Sequence, residues 1–537
     1  MSFAAARPGI CRYAPSRSEA RRPLISIEVE LKLVAEAADL AGLRRALTAL
    51  AAPGSAPTRH DLVSTYFDTP DHALRRAGST LRIRGEGGRF VQTVKTADLA
   101  EANLLARGEW EDRVAENRPD PQAPCSGLRL PVAAAENLQP LFVTSVTRKT
   151  FEIEPRPGTR ILAAVDIGEI RAIDSDLVEP ISEIELELES GDPAALYDLA
   201  LELLQTAPLR IETRSKSERG YRLTAGGGAA PPAVPAEPIV LDPRIVVEEA
   251  MRRIGRSCLT QMLRNEPAAL AGRPEGVHQM RIAARRLRSL LAAVKQLLPE
   301  DLRRAVGGAL TGLAAPLGPA RNLDVFAAEL LSPLRAAFAD EPGGDALAAA
   351  VERARAEAHD RVAEEIRSPR HAAAVLRLLR WFEGRGWRTR QASAMASTLT
   401  VPLGAVAAGI LDRRRRAVRK HSRRFAGLTP TERHRLRIAV KKLRYTVELL
   451  GSLYDPGDLQ RYTARLKRVQ EDLGNANDLR VAYGLVVELS RQADPPEPVI
   501  AAGAELLAWH QRALAGRERK TRARLRRLNR AEPFWRR

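Results

Sequence analysis

Cysteine is scarce. Cys11, Cys125 and Cys258 are the only three in 537 residues, too few for a disulfide framework and at no spacing that would hold a metal. That usage fits a reducing compartment, and no N-terminal apolar run marks a signal peptide. The uncharged stretch 391–411 is diluted by serine, threonine, glycine and proline, so it predicts a buried helical hairpin rather than a membrane span. A phosphate-binding loop is also missing. GEGGRF (85–90) does not open a helix, which argues against a P-loop NTPase.

What is abundant is charge, and it is unevenly placed. Lysine plus arginine number 85 against 66 acidic residues, a net charge of +19. From Arg244 to Arg537 there are 56 basic and 31 acidic residues, whereas the first 243 hold 29 and 35. A mildly acidic module is followed by a strongly basic one, and the basic one predicts an anionic partner.

The organisation follows that division. Residues 1–22, rich in arginine and alanine without a period, read as a disordered leader. Within 23–223, alternating stretches recur at 24–34, 61–67, 79–84, 90–96, 107–114, 143–154, 159–167 and 181–189, the pattern of an antiparallel, largely closed sheet. Helical patterns fall at 37–50 and 192–206, the latter opened by Asp192 and Pro193. A glycine- and proline-rich linker occupies 224–243, and 244–537 is helical throughout. HQMRIAARRLR (278–288) aligns without a gap with HRLRIAVKKLR (434–444), 156 residues on, and LGPARNLD (317–324) meets LGNANDLR (473–480) at the same offset. Two blocks at one offset indicate a duplicated helical unit, about 244–390 and 400–530. The expected fold class is α+β: an eight-stranded antiparallel sheet followed by an all-α domain.

Each strand of the first module is apolar on one face and charged on the other. Glu28, Glu30 and Lys32 alternate in ISIEVELKL, Arg82 and Arg84 in STLRIRG, Thr93 and Lys95 in VQTVKT, Glu109 and Glu111 in RGEWED, and Glu183, Glu185, Glu187 and Glu189 in ISEIELELES. One such strand is ordinarily a solvated face. Here the strands specialise by sign. If the sheet closes, acidic and basic faces converge on an interior suited to divalent cations and phosphate oxygens together.

At this point the first module resembles the CYTH domain, the triphosphate tunnel metalloenzyme family. The likeness is carried in order by the E-x-E-x-K strand, YFDTPDHALRRAGSTLRIR (66–84), TVKT, RGEWE, VDIGEI (165–170), ISEIELELESGD (181–192) and RSKSERGYRL (214–223). It implies an eight-stranded tunnel holding a triphosphate and Mg²⁺ or Mn²⁺. By motif, Glu28 and Glu30 bind metal and Lys32 touches phosphate or orients the attacking water. Arg82, Arg84, Lys95, Arg148 and Lys216 grip the phosphates, while Glu109, Glu111, Asp166, Glu183, Glu185 and Glu187 complete the acidic side.

In the helical module His278, Arg281, Arg285 and Arg288 fall on one helix face, with Ala283, Leu287, Leu290, Leu291 and Val294 opposite. His434, Arg437, Lys441 and Arg444 repeat the stripe, backed by Ala439, Leu443, Val447 and Leu450. These blocks look like the CHAD domain, a resemblance that implies binding of inorganic polyphosphate by the two stripes. One departure is Asn322, where the pattern has an aspartate that the second copy keeps as Asp478. Nucleic acid fits less well, because the stripes lack interleaved aromatics and no recognition-helix signature is present. The expectation is a cytoplasmic, metal-dependent inorganic triphosphatase with a polyphosphate-binding helical domain. An adenylyl cyclase or thiamine triphosphatase of the same fold is one alternative. A non-catalytic, polyphosphate-binding protein associated with granules is another.

Overall fold

A computed structural model describes residues 26–27, 29–96, 108–123, 137–227, 231–334, 342–388, 396–514 and 516–536. The chain divides into two compact units, one up to residue 229 and one from residue 230 onward.

The first unit is built on one antiparallel sheet. Its strands are β1 (Ser26–Ile27), β2 (Glu30–Val34), β3 (Thr58–Asp68), β4 (Ser79–Glu86), β5 (Arg89–Thr96), β6 (Gly108–Val114), β7 (Gln139–Arg156), β8 (Thr159–Ala172), β9 (Val178–Ser190) and β10 (Arg210–Glu212), in the order β1-β6-β5-β4-β3-β7-β8-β9-β2-β10. β1 and β2 are the two arms of one N-terminal run. One arm pairs with β6 and the other with β9, so that run closes the sheet into a ring. Counting the two arms once, the sheet has nine strands rather than the expected eight. The extra one is β10, which adds beside β2 outside the ring. Three residues, RIE, are too short to carry a legible alternation.

The apolar faces point outward, under helices. Leu31 and Leu33 of β2 are buried, and the helices Leu40–Leu50 and Ala194–Leu203 bury Leu43, Leu47, Leu196 and Leu199. With the apolar side used for packing, charged residues such as Lys32 of β2, Arg82 and Arg84 of β4 and Glu185 of β9 are left on the opposite face. A capping box between Ser215 and Glu218 starts the helix Lys216–Thr224 and fixes Lys216 as its first residue. Gly220 lets that helix sit directly on β7, since a Cβ there would stand 2.1 Å from the Phe142 ring.

Fully buried Asp68 ties this end together. Its carboxylate accepts from the backbone N–H groups of Thr69 (2.7 Å), Leu74 (2.8 Å) and Arg75 (3.0 Å) and from the Tyr221 hydroxyl (2.8 Å). Asp68→Ala leaves four donors unsatisfied and is expected to cost about 3 kcal/mol or more, against about 1 kcal/mol for Tyr221→Phe. Hydrogen exchange of β3 and β4 amides under increasing urea measures both; equal, small shifts would show that the carboxylate has no such role.

The second unit is helical. Its first basic helix is Pro274–Ala293 and its second is Pro430–Leu450, begun by a Thr429–Glu432 capping box with proline as the first helical residue. Ala283, Leu287, Leu290, Leu291 and Val294 are buried, as are Ala439, Leu443, Val447 and Leu450. The two copies differ at the LG block. In the second copy it lies inside the long helix Pro456–Gln492, whereas in the first the chain breaks between Glu300–Ala314 and Leu317–Val325. Pro316, which cannot donate to the helical ladder, stands at that break. Of the uncharged stretch, 391–395 lie outside the described residues. The remainder forms the short helix Ala396–Leu399 and the start of Leu403–Ser422, where Leu403, Ala407, Ile410 and Leu411 are buried. No described helix is long and apolar enough to cross a membrane.

A buried ion pair joins the helices Val247–Leu270 and Pro369–Glu383. His371 Nε2 lies 2.7 Å from Glu266, and although burial opposes charging, Glu266 raises the imidazole above its ordinary value of 6.5. A raised folded-state pKa gives stability that is fully present below 6.5 and is lost as pH climbs through the raised value. Wild type should therefore lose thermal stability relative to His371→Gln over that window. Parallel pH profiles of the two proteins would contradict it.

Candidate functional site: a charged tunnel and a basic groove

Strand register brings the charged residues together. Arg148 on β7 is directly opposite Asp166 on β8, Asp166 is opposite Glu183 on β9, and Glu185 is opposite Lys32 on β2. Asp166, Glu183 and Glu185 each offer an oxygen within 4.8 Å of the others, at 0, 1 and 9% exposure. Three carboxylates this close repel one another unless cations intervene.

Here the intervening cations are side chains. Lys216 reaches Asp166 at 2.7 Å and Glu185 at 2.8 Å and also pairs with Glu183. Lys32 bonds Glu185 at 2.6 Å and also pairs with Glu30. Arg148 forks onto Asp166 through Nε (2.8 Å) and Nη2 (2.7 Å) and touches Glu185 as well. Burial works against charge on Lys32 and Lys216, but the carboxylates outweigh it and hold both ammoniums above the ordinary lysine value. Burial also raises Glu185, yet Lys216, Lys32 and Arg148 pull it well below the usual carboxylate range.

The other wall is cationic. Lys95 pairs with Glu109 at 3.1 Å, Arg82 reaches the same carboxylate at 3.4 Å, and Thr93 donates to Glu111 at 3.2 Å. Arg84 forms no ion pair among the described residues, and its Nε has no partner. Arg82 beside it, burial, and Arg148 together lower its guanidinium to about 10.

In the second unit the two basic helices pack against each other. Burial first, and then Arg285 on the first helix, lower Arg437 and Lys441 on the second, so the two stripes share one field. Burial, Arg285 and Arg321 lower Arg281 to about 10, while burial, Arg285 and Arg437 lower Lys441 to about 7. Burial first, then Arg321, hold His278 below the ordinary histidine value. Arg437 meets Asp478 at 3.5 Å, whereas Arg281 at the matching position, with Asn322 in place of the aspartate, donates to the carbonyls of Leu317 (2.9 Å) and Gly318 (2.7 Å).

Residues 26–221 match the CYTH domain and residues 253–487 match the CHAD domain. The chain is a CYTH–CHAD fusion. An inorganic triphosphatase of Haemophilus influenzae is 35% identical over 166 residues, covering 30% of this chain and 46% of that protein. An uncharacterized protein of Mycobacterium tuberculosis is 27% identical over 327 residues, 57% of this chain and 60% of the relative. The chain thus spans about half the length of the relatives it matches. The crystal structure of the CHAD domain from the plant Ricinus communis is 28% identical and covers 55% of this chain and 96% of that one, with a TM-score of 0.49.

Most residues named from the sequence in the CYTH domain lie on this interior. Glu28 is outside the described residues. Glu30, Glu109, Glu111 and Glu187 stand apart from the buried trio, and Glu189 leaves the interior for Arg160 at 3.8 Å. Arg148 rather than Lys149 faces inward, since Lys149 lies over the Phe151 ring. Tyr66 escaped the sequence reading. Burial raises its phenol, but Arg82, Lys216 and Arg84 outweigh that and leave it below the ordinary value. Its register opposite Arg82 was the available signal. Arg219, one turn after Lys216, also escaped; it binds Glu183 at 2.9 Å and Glu179 at 2.8 Å. In the CHAD domain both stripes keep their predicted faces. His434 meets Asn477 at 3.3 Å, Arg288 reaches the Leu310 carbonyl at 3.4 Å, and Arg444 lies over Tyr445 and pairs with Glu448 at 3.2 Å.

Proposed function

We propose that the CYTH domain hydrolyses inorganic triphosphate with a divalent metal, Mg²⁺ or Mn²⁺, and that the CHAD domain binds polyphosphate. The observation that carries the catalytic part is the buried trio Asp166, Glu183 and Glu185 set directly against Lys32, Arg148 and Lys216. The donor set fits a hard divalent cation, being all carboxylate oxygen. It would be held chiefly by the trio, with Glu30, Glu109, Glu111 and Glu187 as further carboxylates of the lining and Glu28 assigned by the sequence pattern alone. When bound, such an ion neutralises phosphate charge and acidifies water.

The chain's own cations do the rest. Arg82, Arg84 and Arg148 present forks to phosphate oxygens, while Lys95 and Lys216 supply point charges. Lys32, paired with Glu185 and Glu30, touches phosphate or orients the incoming water. Seven carboxylates and six cations leave the described interior near neutrality, so a polyanion must bring positive charge with it. The name of the Haemophilus influenzae relative favours inorganic triphosphate over a nucleotide. The polyphosphate reading is supported by two basic stripes on helices that pack against each other, where burial first and then neighbouring guanidiniums lower Arg281 and Lys441. A cytoplasmic location belongs to the same reading.

The test incubates the full chain with either metal and, separately, triphosphate, ATP, thiamine triphosphate or long-chain polyphosphate. Rapid phosphate release from triphosphate, with polyphosphate bound but not hydrolysed, is the expected result. Cyclic AMP from ATP would reassign the tunnel, and binding without turnover of any substrate would make the protein a scaffold.

A further inference from the structure

We propose that the CHAD domain carries an interface, away from the two basic stripes, that holds double-stranded nucleic acid by its phosphate backbone. It is built where the helices Leu403–Ser422 and Arg517–Arg530 meet. The Asn529 amide donates to the Ser422 hydroxyl at 2.8 Å. Arg415 donates to the carbonyls of Asn529 (3.2 Å) and Ala531 (2.8 Å). Leu411 and Val418 of the first helix are buried, as are Leu525 and Leu528 of the second, so each helix has one side in the core and one in solvent.

At roughly 100° per residue, Arg413, Arg416, Lys420 and Arg423 fall in one row on the first helix. That row is exposed and stands beside the Arg415–Ser422 contact, on the side away from Leu411 and Val418. Arg519, Arg522, Arg526 and Arg530 make a second exposed row, beside Asn529 and away from Leu525 and Leu528. The two rows therefore flank the contact between the helices on its solvent side. Among the described residues none of the eight forms an ion pair or a side-chain hydrogen bond. Each helix has a single carboxylate, and both are engaged elsewhere. Asp412 accepts from Trp535 (3.0 Å) and Arg536 (2.6 Å), and Glu518 pairs with Arg433 at 3.0 Å. Like charges stand four residues apart at Arg416 and Lys420, Arg522 and Arg526, and Arg526 and Arg530, a spacing that costs helix stability unless an anion relieves it.

The surroundings select the partner. No large apolar or aromatic side chain is exposed on either helix, so the surface offers nothing to insert into a lipid layer and nothing for an unpaired base to stack on. What remains is recognition of phosphate by arginine forks. The rows stand on exposed helix faces, so a partner is touched from one side. A flexible polyphosphate chain would surrender conformational freedom for one-sided contacts. A duplex is stiff over about 150 base pairs and carries one charge per roughly 1.7 Å of its axis, so it meets both rows without that loss. Contacts limited to phosphates position a duplex without reading its sequence, in keeping with the lack of a recognition-helix signature.

The full chain is titrated into two labelled duplexes of about 20 base pairs and unrelated sequence, read by fluorescence anisotropy at several salt concentrations. Both should bind equally well. Arg416→Gln, Lys420→Gln and Arg423→Gln together should weaken binding about tenfold or more and lower the log–log salt slope by about three. Arg519→Gln, Arg522→Gln and Arg526→Gln together should do the same. Glutamine keeps side-chain length and helix propensity, and circular dichroism checks the fold. No duplex binding at low salt, an affinity unchanged in either triple variant, or a strong preference for one sequence overturns the proposal. Anionic-lipid vesicles or long-chain polyphosphate held by these residues in place of the duplex would reassign the surface and overturn it too.

Discussion

Glu185→Gln should lower phosphate release from triphosphate by about a thousandfold while the chain stays folded. Glu185 is the carboxylate on which the tunnel's cations converge: Lys32 at 2.6 Å, Lys216 at 2.8 Å, and Arg148. Glutamine keeps the volume and one acceptor oxygen but loses the charge. Three buried cations are then left with fewer anions, in a setting where each interaction is stronger than in water. The trio also becomes a pair of carboxylates, so more metal should be needed for half-maximal rate. Steady-state phosphate release over a metal titration reads both effects, with circular dichroism as the folding control. Glu189→Gln, at the rim and paired only loosely with Arg160, should stay within about twofold of wild type. A Glu185→Gln rate within tenfold of wild type would remove this residue from the machinery.

The second large effect belongs to the CHAD groove. Arg285→Ala combined with Arg437→Ala should weaken polyphosphate binding about a hundredfold or more, since each lost charge-assisted contact is worth at least about 1.5 kcal/mol. The salt dependence should change too. A polyanion releases roughly one counterion for each cation it meets, so the log–log slope of affinity against salt should fall by about two. Beyond the effect of burial, Arg285 acts on both Arg437 and Lys441, so it couples the two stripes. Unchanged affinity with an unchanged slope would mean that the polyanion, if bound, lies elsewhere. Fluorescence anisotropy of labelled polyphosphate at several salt concentrations measures both quantities.

The strands were legible because period-two alternation is strong wherever one face packs under helices and the other is charged. Leu31, Lys32 and Leu33 show it in three residues. What alternation does not encode is closure. That depends on the N-terminal run pairing with β6 through one arm and β9 through the other, contacts far apart in sequence. The same limit hid β10, too short to show a period, and Tyr66, an aromatic among apolar neighbours that looks like core until its register opposite Arg82 is known. Alternation put Glu183, Glu185, Glu187 and Glu189 on one face. It could not say that the first two are buried with Asp166 while the last emerges at the rim. In the helical domain the duplicated stripe was legible; the different partners of Arg281 and Arg437 were signalled only by the substituted Asn322, and the break at Pro316 by that proline alone.

The most direct test of the central claim follows the products. Triphosphate is incubated with the full chain and Mg²⁺ or Mn²⁺, with or without a chelator, and the phosphates are separated by ion chromatography. The account predicts phosphate and pyrophosphate in equal amounts with metal and none with chelator. Triphosphate left intact with both metals, or cleaved equally well in chelator, would contradict it.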